Sequence, residues 1–332
     1  MQLIDKPQVI ERGSKESLKL SNTCSFSMLV ARTDIPFMMH TIPHLVRMSN
    51  FNFTQKVLFM DTAPLSGDKV MRPGVGTLSE LRDCCRKLIS EGIVDRVVEM
   101  NYDQNHQKQM YQKHFGHRIK PTHNYKGYPI LGSISHIESV PGDYMLHYDS
   151  DMLLHQQPDY NWIDEGIKLM EQNPEIMAIR PLTGPPTEDG TIYQKNNSLK
   201  PGVEGFYKLK FFSSRVYLIN RKRFDKLLPL PILWRSYNKK SLNRLPLNLK
   251  TLLNYYTGKG KLDSWEVMVS MQLEKSDYVR ATMSSPKAWT IHPKDRSPEF
   301  IRALPNIIEK IEQGWYPPEQ AGHYDFISKY WL

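Results

Sequence analysis

The sequence predicts an α/β protein with a mostly parallel central sheet and helices on both faces. Three observations carry this. Short apolar runs alternate with helical patterns through the first half, the order that builds a parallel sheet. Several of the runs end in an aspartate: Asp34 lies shortly beyond the first, Asp61 closes the second, and Asp149 and Asp151 follow "YMLHY". Finally, 332 residues with 40% hydrophobic content suffice for a proper core.

The elements follow in order. Residues 1–22 read as an irregular lead-in. "SFSMLVA" (25–31) is a strand, followed by a helix with Asp34 at its N-cap, Pro36 in its first turn and an interruption at Pro43. "KVLFMD" (56–61) is a second strand. Residues 77–92 form a helix: Thr77 and Glu80 make a capping box, Leu78, Leu81, Leu88 and Ile89 share a face, and Gly92 stops it. "VDRVVEM" (94–100) is a third strand. The histidine-rich 101–127 reads as a polar loop holding at most a short helix, and 128–140 as a helix. Beyond the Asp pair, the pattern predicts a helix at 162–172, a strand at 175–181, a loop at 183–202 and a strand-rich unit at 206–228. Helices are then expected from Trp265 and over 298–313, with "AWTI" strand-like between them. These elements divide into a lead-in (1–24), a first half (25–181), a second half (182–297) and a C-terminal helix with an aromatic tail (298–332).

Three cysteines, Cys24, Cys84 and Cys85, make no disulfide framework and read as reduced cytoplasmic thiols. The first 25 residues hold no apolar signal region, and no window approaches a membrane span. The net charge of +9 is uneven. Residues 208–261 carry fourteen Lys or Arg and one acid, Asp225, so this stretch is +13 and the remainder is −4. Such a segment points to an anionic partner for that segment alone.

Asp149 and Asp151 place two hard oxygen ligands where a strand ends and the chain turns. Carboxylates of this kind suit Mg²⁺ or Mn²⁺ shared with phosphate oxygens. His147 falls on the same strand face by the period of two, within the buried part of the strand. Trp265 reads as core.

In these features the chain resembles the nucleotide-sugar glycosyltransferases of GT-A fold, family 2 type, over about residues 26–292. "SMLVARTDIPFMMHTIPHLVRM" resembles the first strand and helix around the nucleotide base, "KVLFMDTA" the second strand with its terminal acid, "GDYMLHYDSDM" the D-x-D segment and "DSWEVMVSMQL" the later acidic motif. The resemblance implies a GT-A-type Rossmann-like sandwich and a hexosyltransferase-type enzyme, moving a sugar from a nucleotide diphosphate sugar to a hydroxyl. It implies donor contacts from Ala31, Asp34, Asp61 and Ser150, and a metal held by Asp149 and Asp151 with His292 as third ligand. Glu266 or Asp263 is then the catalytic base in an inverting reaction; a retaining reaction needs none on that face. On this resemblance 25–181 is expected to be the donor half and 182–297 the acceptor-binding and catalytic half. An anionic or lipid-linked acceptor would suit the basic 208–261 segment, which is expected to face it or to touch an anionic membrane surface peripherally, with the protein cytoplasmic.

Two rival readings share features with this one. A nucleotidyltransferase acting on sugar phosphates also uses Asp-bound Mg²⁺, but needs a Gly-rich loop after the first strand, and "VARTDIPF" has no glycine. A nucleic-acid-binding protein has enough basic residues in 208–261, but no recognised motif lies there; no nucleic acid partner is expected.

Overall fold

The structure is a computed structural model that describes residues 9–11, 23–194, 197–200, 202, 205–238 and 240–332. In chain order, β1 (Val9–Glu11) precedes β2 (Cys24–Val30), α1 (Ile35–Ser49), β3 (Lys56–Met60), α2 (Leu78–Ser90), β4 (Arg96–Glu99), α3 (Gln104–Phe115) and α4 (Ile130–Ser139). Next come β5 (Tyr144–Tyr148), β6 (Leu153–Gln156), α5 (Trp162–Gln172), β7 (Ile176–Arg180), β8 (Leu182–Thr183), β9 (Ile192–Gln194), β10 (Asn197–Leu199), β11 (Phe206–Leu209) and β12 (Val216–Asn220). The chain continues through α6 (Arg221–Asp225), α7 (Leu247–Thr257), α8 (Trp265–Glu274), β13 (Val279–Met283), β14 (Ala288–Ile291) and α9 (Pro298–Glu312).

Nine strands form one sheet in the order β1-β4-β3-β2-β5-β12-β7-β13-β11. Strands β2, β3, β4, β5, β7 and β13 point one way, and β1, β11 and β12 run against them. Side chains alternate between two buried faces, so the strands read as continuous apolar runs. Leu58 and Met60 of β3 pack with α1, α2 and α5 on one face. Val57 and Phe59 pack with α3, α4, α6 and α8 on the other, where Trp265 lies 3% exposed among Phe212, Tyr217 and Phe224. A second sheet, β6-β14-β8, packs on α9.

Several expectations change. The lead-in contains an edge strand at 9–11; the rest of 1–22 lies outside the described residues. Helix α1 continues through Pro43, because Phe37, Met38, Ile42 and Leu45 bury one stripe and packing outweighs the lost backbone hydrogen bond. Asp34 occupies the N-cap position without capping; its carboxylate turns back to the Ala31 N–H at 2.9 Å. The polar 101–127 segment contains a full helix, α3, started by Asp103, which accepts from the Asn105 and His106 N–H groups, and stopped by Gly116 at φ 67°. Tyr111 and Phe115, four residues apart, bury its inner edge. The 183–202 loop carries the short strands β8, β9 and β10. The capping box at Thr77 and Glu80 forms as expected, with Glu80 N–H to Thr77 Oγ1 at 3.2 Å and Thr77 N–H to Glu80 Oε2 at 2.7 Å.

Candidate active site

The carboxyl ends of β2, β3 and β5 lie at one sheet edge because the three strands are parallel neighbours. A cleft of about 730 Å³ opens there. All nine residues singled out from the sequence line it: Ala31, Asp34, Asp61, Asp149, Ser150, Asp151, Asp263, Glu266 and His292. Two pairings bring the later ones in. Strand β14 runs antiparallel to β6 with Ile291 opposite Leu153, so His292 arrives beside Asp151. Strand β12 runs antiparallel to β5 with Val216 opposite Tyr148, and Asp149 N–H donates to the Arg215 carbonyl at 2.6 Å. Ser214 therefore stands at the same edge and holds Glu266: its N–H and Oγ–H both donate to Glu266 Oε2, at 2.8 and 2.9 Å.

The carboxylates differ in setting. Asp34 is buried, with Thr33 Oγ1 donating to Oδ1 at 3.0 Å; burial raises its pKa above the usual value, against the pull of Lys69. Asp61 receives Tyr102 O–H at 2.7 Å and the Ala63 N–H at 3.1 Å on Oδ1, while His123 Nε2 and Lys69 Nζ lie 3.1 and 3.7 Å from Oδ2. Burial works to raise its pKa, but His123, Lys69 and Tyr102 outweigh burial and bring it to about 2. Asp263 accepts from Arg235 Nη1 at 3.0 Å and from Ser264 N–H at 2.7 Å.

Asp151 is buried, and its Oδ2 meets Arg296 and, at 3.5 Å, His292 Nε2. Desolvation raises its pKa, yet His292 and Arg296 prevail and hold it below the ordinary carboxylate range. His292 answers in kind: burial lowers its pKa, Asp151 raises it, and the net shift is upward. Asp149 is 43% exposed at its side chain and lies 3.3 Å from His147 Nε2. His147 itself is buried, its Nδ1 3.0 Å from the Ser27 carbonyl, which accepts only and so fixes a proton on that nitrogen.

Among the described residues, no group of three His, Cys, Asp or Glu side chains converges as a ready metal cage. The Asp pair nonetheless fits a hard cation. Asp151 Oδ1 is buried without a hydrogen-bond partner among the described residues, a costly condition that a cation relieves. Asp149 and Asp151 supply the carboxylate oxygens that Mg²⁺ or Mn²⁺ takes, and such ions complete their shells with water and phosphate.

Sequence reasoning missed the basic side of the cleft. Lys69, Arg72, Lys126, Lys294 and Arg296 line it among six carboxylates, together with Arg215 of the basic 208–261 segment, so an anionic ligand is not repelled. Arg296 follows His292 by four residues, and a cation so close to a candidate ligand was the available signal. Lys69 and His123 had none, because their meeting with Asp61 is purely tertiary.

Asp61 makes a measurable link between this site and the fold. Its depressed pKa stabilises the folded state fully above the unfolded value of 3.8 and progressively less as pH falls toward about 2. Replacing it, Asp61→Asn, is expected to cost about 2 kcal/mol near neutrality. Urea denaturation of both proteins should show that gap closing between about pH 5 and pH 2.

No protein-family model matches the sequence, and no curated protein matches it. Solved structures do. S. aureus TarS 1–349 in complex with UDP-GlcNAc aligns with 80% of this chain and 58% of its own, at 8% identity and a TM-score of 0.41. This chain thus spans less than two thirds of that one. Glucosyl-3-phosphoglycerate synthase from Mycobacterium tuberculosis, in complex with Mn²⁺, UDP and glucosyl-3-phosphoglycerate, aligns with 88% of this chain and 78% of its own, at 11% identity and a TM-score of 0.33. A mannosyltransferase from Pyrobaculum calidifontis in complex with GDP-Man and Mn²⁺ aligns with 65% and 51%, at 9% identity and a TM-score of 0.34.

Proposed function

We propose that the chain is a metal-dependent glycosyltransferase that moves a sugar from a nucleotide diphosphate sugar to a hydroxyl acceptor. One observation carries this reading. Residues chosen from separate sequence segments, from Ala31 to His292, line a single cleft at the carboxyl edge of the sheet, with the Asp149/Asp151 pair and several cations among its lining.

In this reading Ala31, Asp34, Asp61 and Ser150 form the donor wall. Asp61 is held rigid by Tyr102, His123 and Lys69, so it presents a fixed anionic surface at the end of β3. Asp149 and Asp151 would hold Mn²⁺ or Mg²⁺, with His292, 3.5 Å from Asp151, as the third candidate ligand. The ion supplies charge stabilisation of the departing diphosphate. Arg215, Lys294 and Arg296 line the same region and balance the negative charge that the leaving group gains.

Glu266 is the proposed base of an inverting reaction. Both Ser214 hydrogen bonds fall on Oε2, and Oε1 takes part in neither. Glu266 sits in the first turn of α8 and lines the cleft, where it is placed to accept the acceptor hydroxyl proton. Asp263 is the weaker choice because its carboxylate is engaged by Arg235.

Thermal-shift measurement with UDP-, GDP- and TDP-linked sugars tests the reading. A bound donor raises stability by RT ln(1 + [L]/Kd), so at least one sugar nucleotide should shift the transition, and more strongly with Mn²⁺ present. No shift with any of them in either condition rejects it.

A further inference from the structure

Helix α7 is built inside out. Its inner face buries polar side chains: Thr251 accepts a hydrogen bond from Trp234 Nε1 at 3.0 Å, and Asn254 Oδ1 accepts from Tyr237 O–H at 2.5 Å. Its outer face carries Leu249, Leu252 and Tyr256, which are 51%, 53% and 74% exposed. These three are spaced by three and four residues and therefore share one stripe. A helix stabilised only by the protein's own core would turn that stripe inward.

The ground around the stripe is basic. From Lys226 to Leu262 the sequence has no acid, and Arg235, Lys240, Arg244, Lys259 and Lys261 are exposed. The wider stretch 208–261 carries +13 and the remainder of the chain −4, so the positive charge is concentrated in this part of the sequence. No helix among the described residues is long and apolar enough to cross a membrane. An outward stripe of leucine and tyrosine, on a helix within a segment whose charged residues are all basic, is the pattern of a helix that lies in the plane of an anionic bilayer, its apolar face among the acyl chains and its cations at the headgroups. Leucines at the centre of the patch are of no use to a phosphate backbone, which favours the lipid over a nucleic acid.

We propose that α7 and its basic flanks bind the surface of an anionic membrane. The position relative to the cleft gives this a consequence. Arg235 stacks 4.4 Å from the Tyr125 ring and pairs with Asp263, and both of those residues line the cleft. The Trp234–Leu262 bridge closes the excursion at the same place. A membrane-bound α7 therefore sets the cleft beside the headgroup layer, and the hydroxyl acceptor is carried on a lipid; this last clause rests on the glycosyltransferase reading.

The test is co-sedimentation of the full chain with phosphatidylcholine vesicles and with vesicles containing phosphatidylglycerol, without donor or metal, so that its outcome is independent of catalysis. Binding is expected only to the anionic vesicles, weakening with salt. The exposed substitutions Leu249→Ser, Leu252→Ser and Tyr256→Ser together are expected to weaken it about tenfold or more. Lys240→Glu, Arg244→Glu and Lys259→Glu together are expected to weaken it about 100-fold. Circular dichroism identifies any variant that fails to fold, and the wild-type lipid series stands without variants. Equal binding of the wild type to both vesicles, no binding to either, or full binding by the folded apolar variant overturns the proposal. Salt-sensitive binding to RNA or DNA with none to vesicles does so as well.

Discussion

Glu266→Gln is expected to lower turnover by about 10²–10⁴-fold while leaving the donor KM close to that of the wild type. Glutamine keeps an oxygen to accept from Ser214 N–H and Oγ, so the first turn of α8 stays in place. What it loses is the ability to take a proton. The loss therefore falls on the chemical step and spares the ground state. Asp263→Asn serves as the control, since its carboxylate is already paired with Arg235. Steady-state kinetics of the two variants, with the donor found by thermal shift, decides between them. A larger fall in turnover for Asp263→Asn than for Glu266→Gln would exchange their roles.

Removing the Asp pair is the second large effect. Asp149→Ala should abolish Mn²⁺-assisted donor uptake, measured by titration calorimetry, with turnover falling by at least about 10²-fold. The side chain is 43% exposed, so the fold should hardly notice. Asp151→Ala should produce the same functional loss and, in addition, a stability cost of about 3–5 kcal/mol, because it leaves the buried His292 and the half-buried Arg296 without their carboxylate. Chemical denaturation separates the two variants. If both take up the donor with Mn²⁺ as well as the wild type does, these carboxylates are not the metal's seat.

The two halves of the chain differed in how much they disclosed. Strands β2, β3 and β5 were legible because burial on both faces makes them mostly apolar runs, and α2 because its cap and its stripe agree. The donor-edge acids were legible for a related reason: parallel strands must end at one edge, so acids at their ends share it. Helix α3 was hidden because so few of its residues are apolar that no stripe announces it; its Asp103 cap and Gly116 stop were the local signals. Strands β6 and β13 were overlooked because "LLHQ" and "VRATM" are too short for periodicity to separate them from loop. The partners of the chosen acids were hidden altogether. That Lys69 meets Asp61, or that Ser214 orients Glu266, follows from strand order and register, which no local window contains. The inside-out character of α7 was equally invisible, since a helix rich in leucine reads as core until its buried threonine and asparagine are seen.

Strand β12, from the later part of the chain, is inserted between β5 and β7 from the earlier part, and it pairs with both. A hinge between residues 25–181 and residues 182–297 would have to tear those ladders. On the proposed reading, substrates would enter past the loops at the cleft mouth while the sheet beneath, laced together by β12, keeps its shape from one turnover to the next.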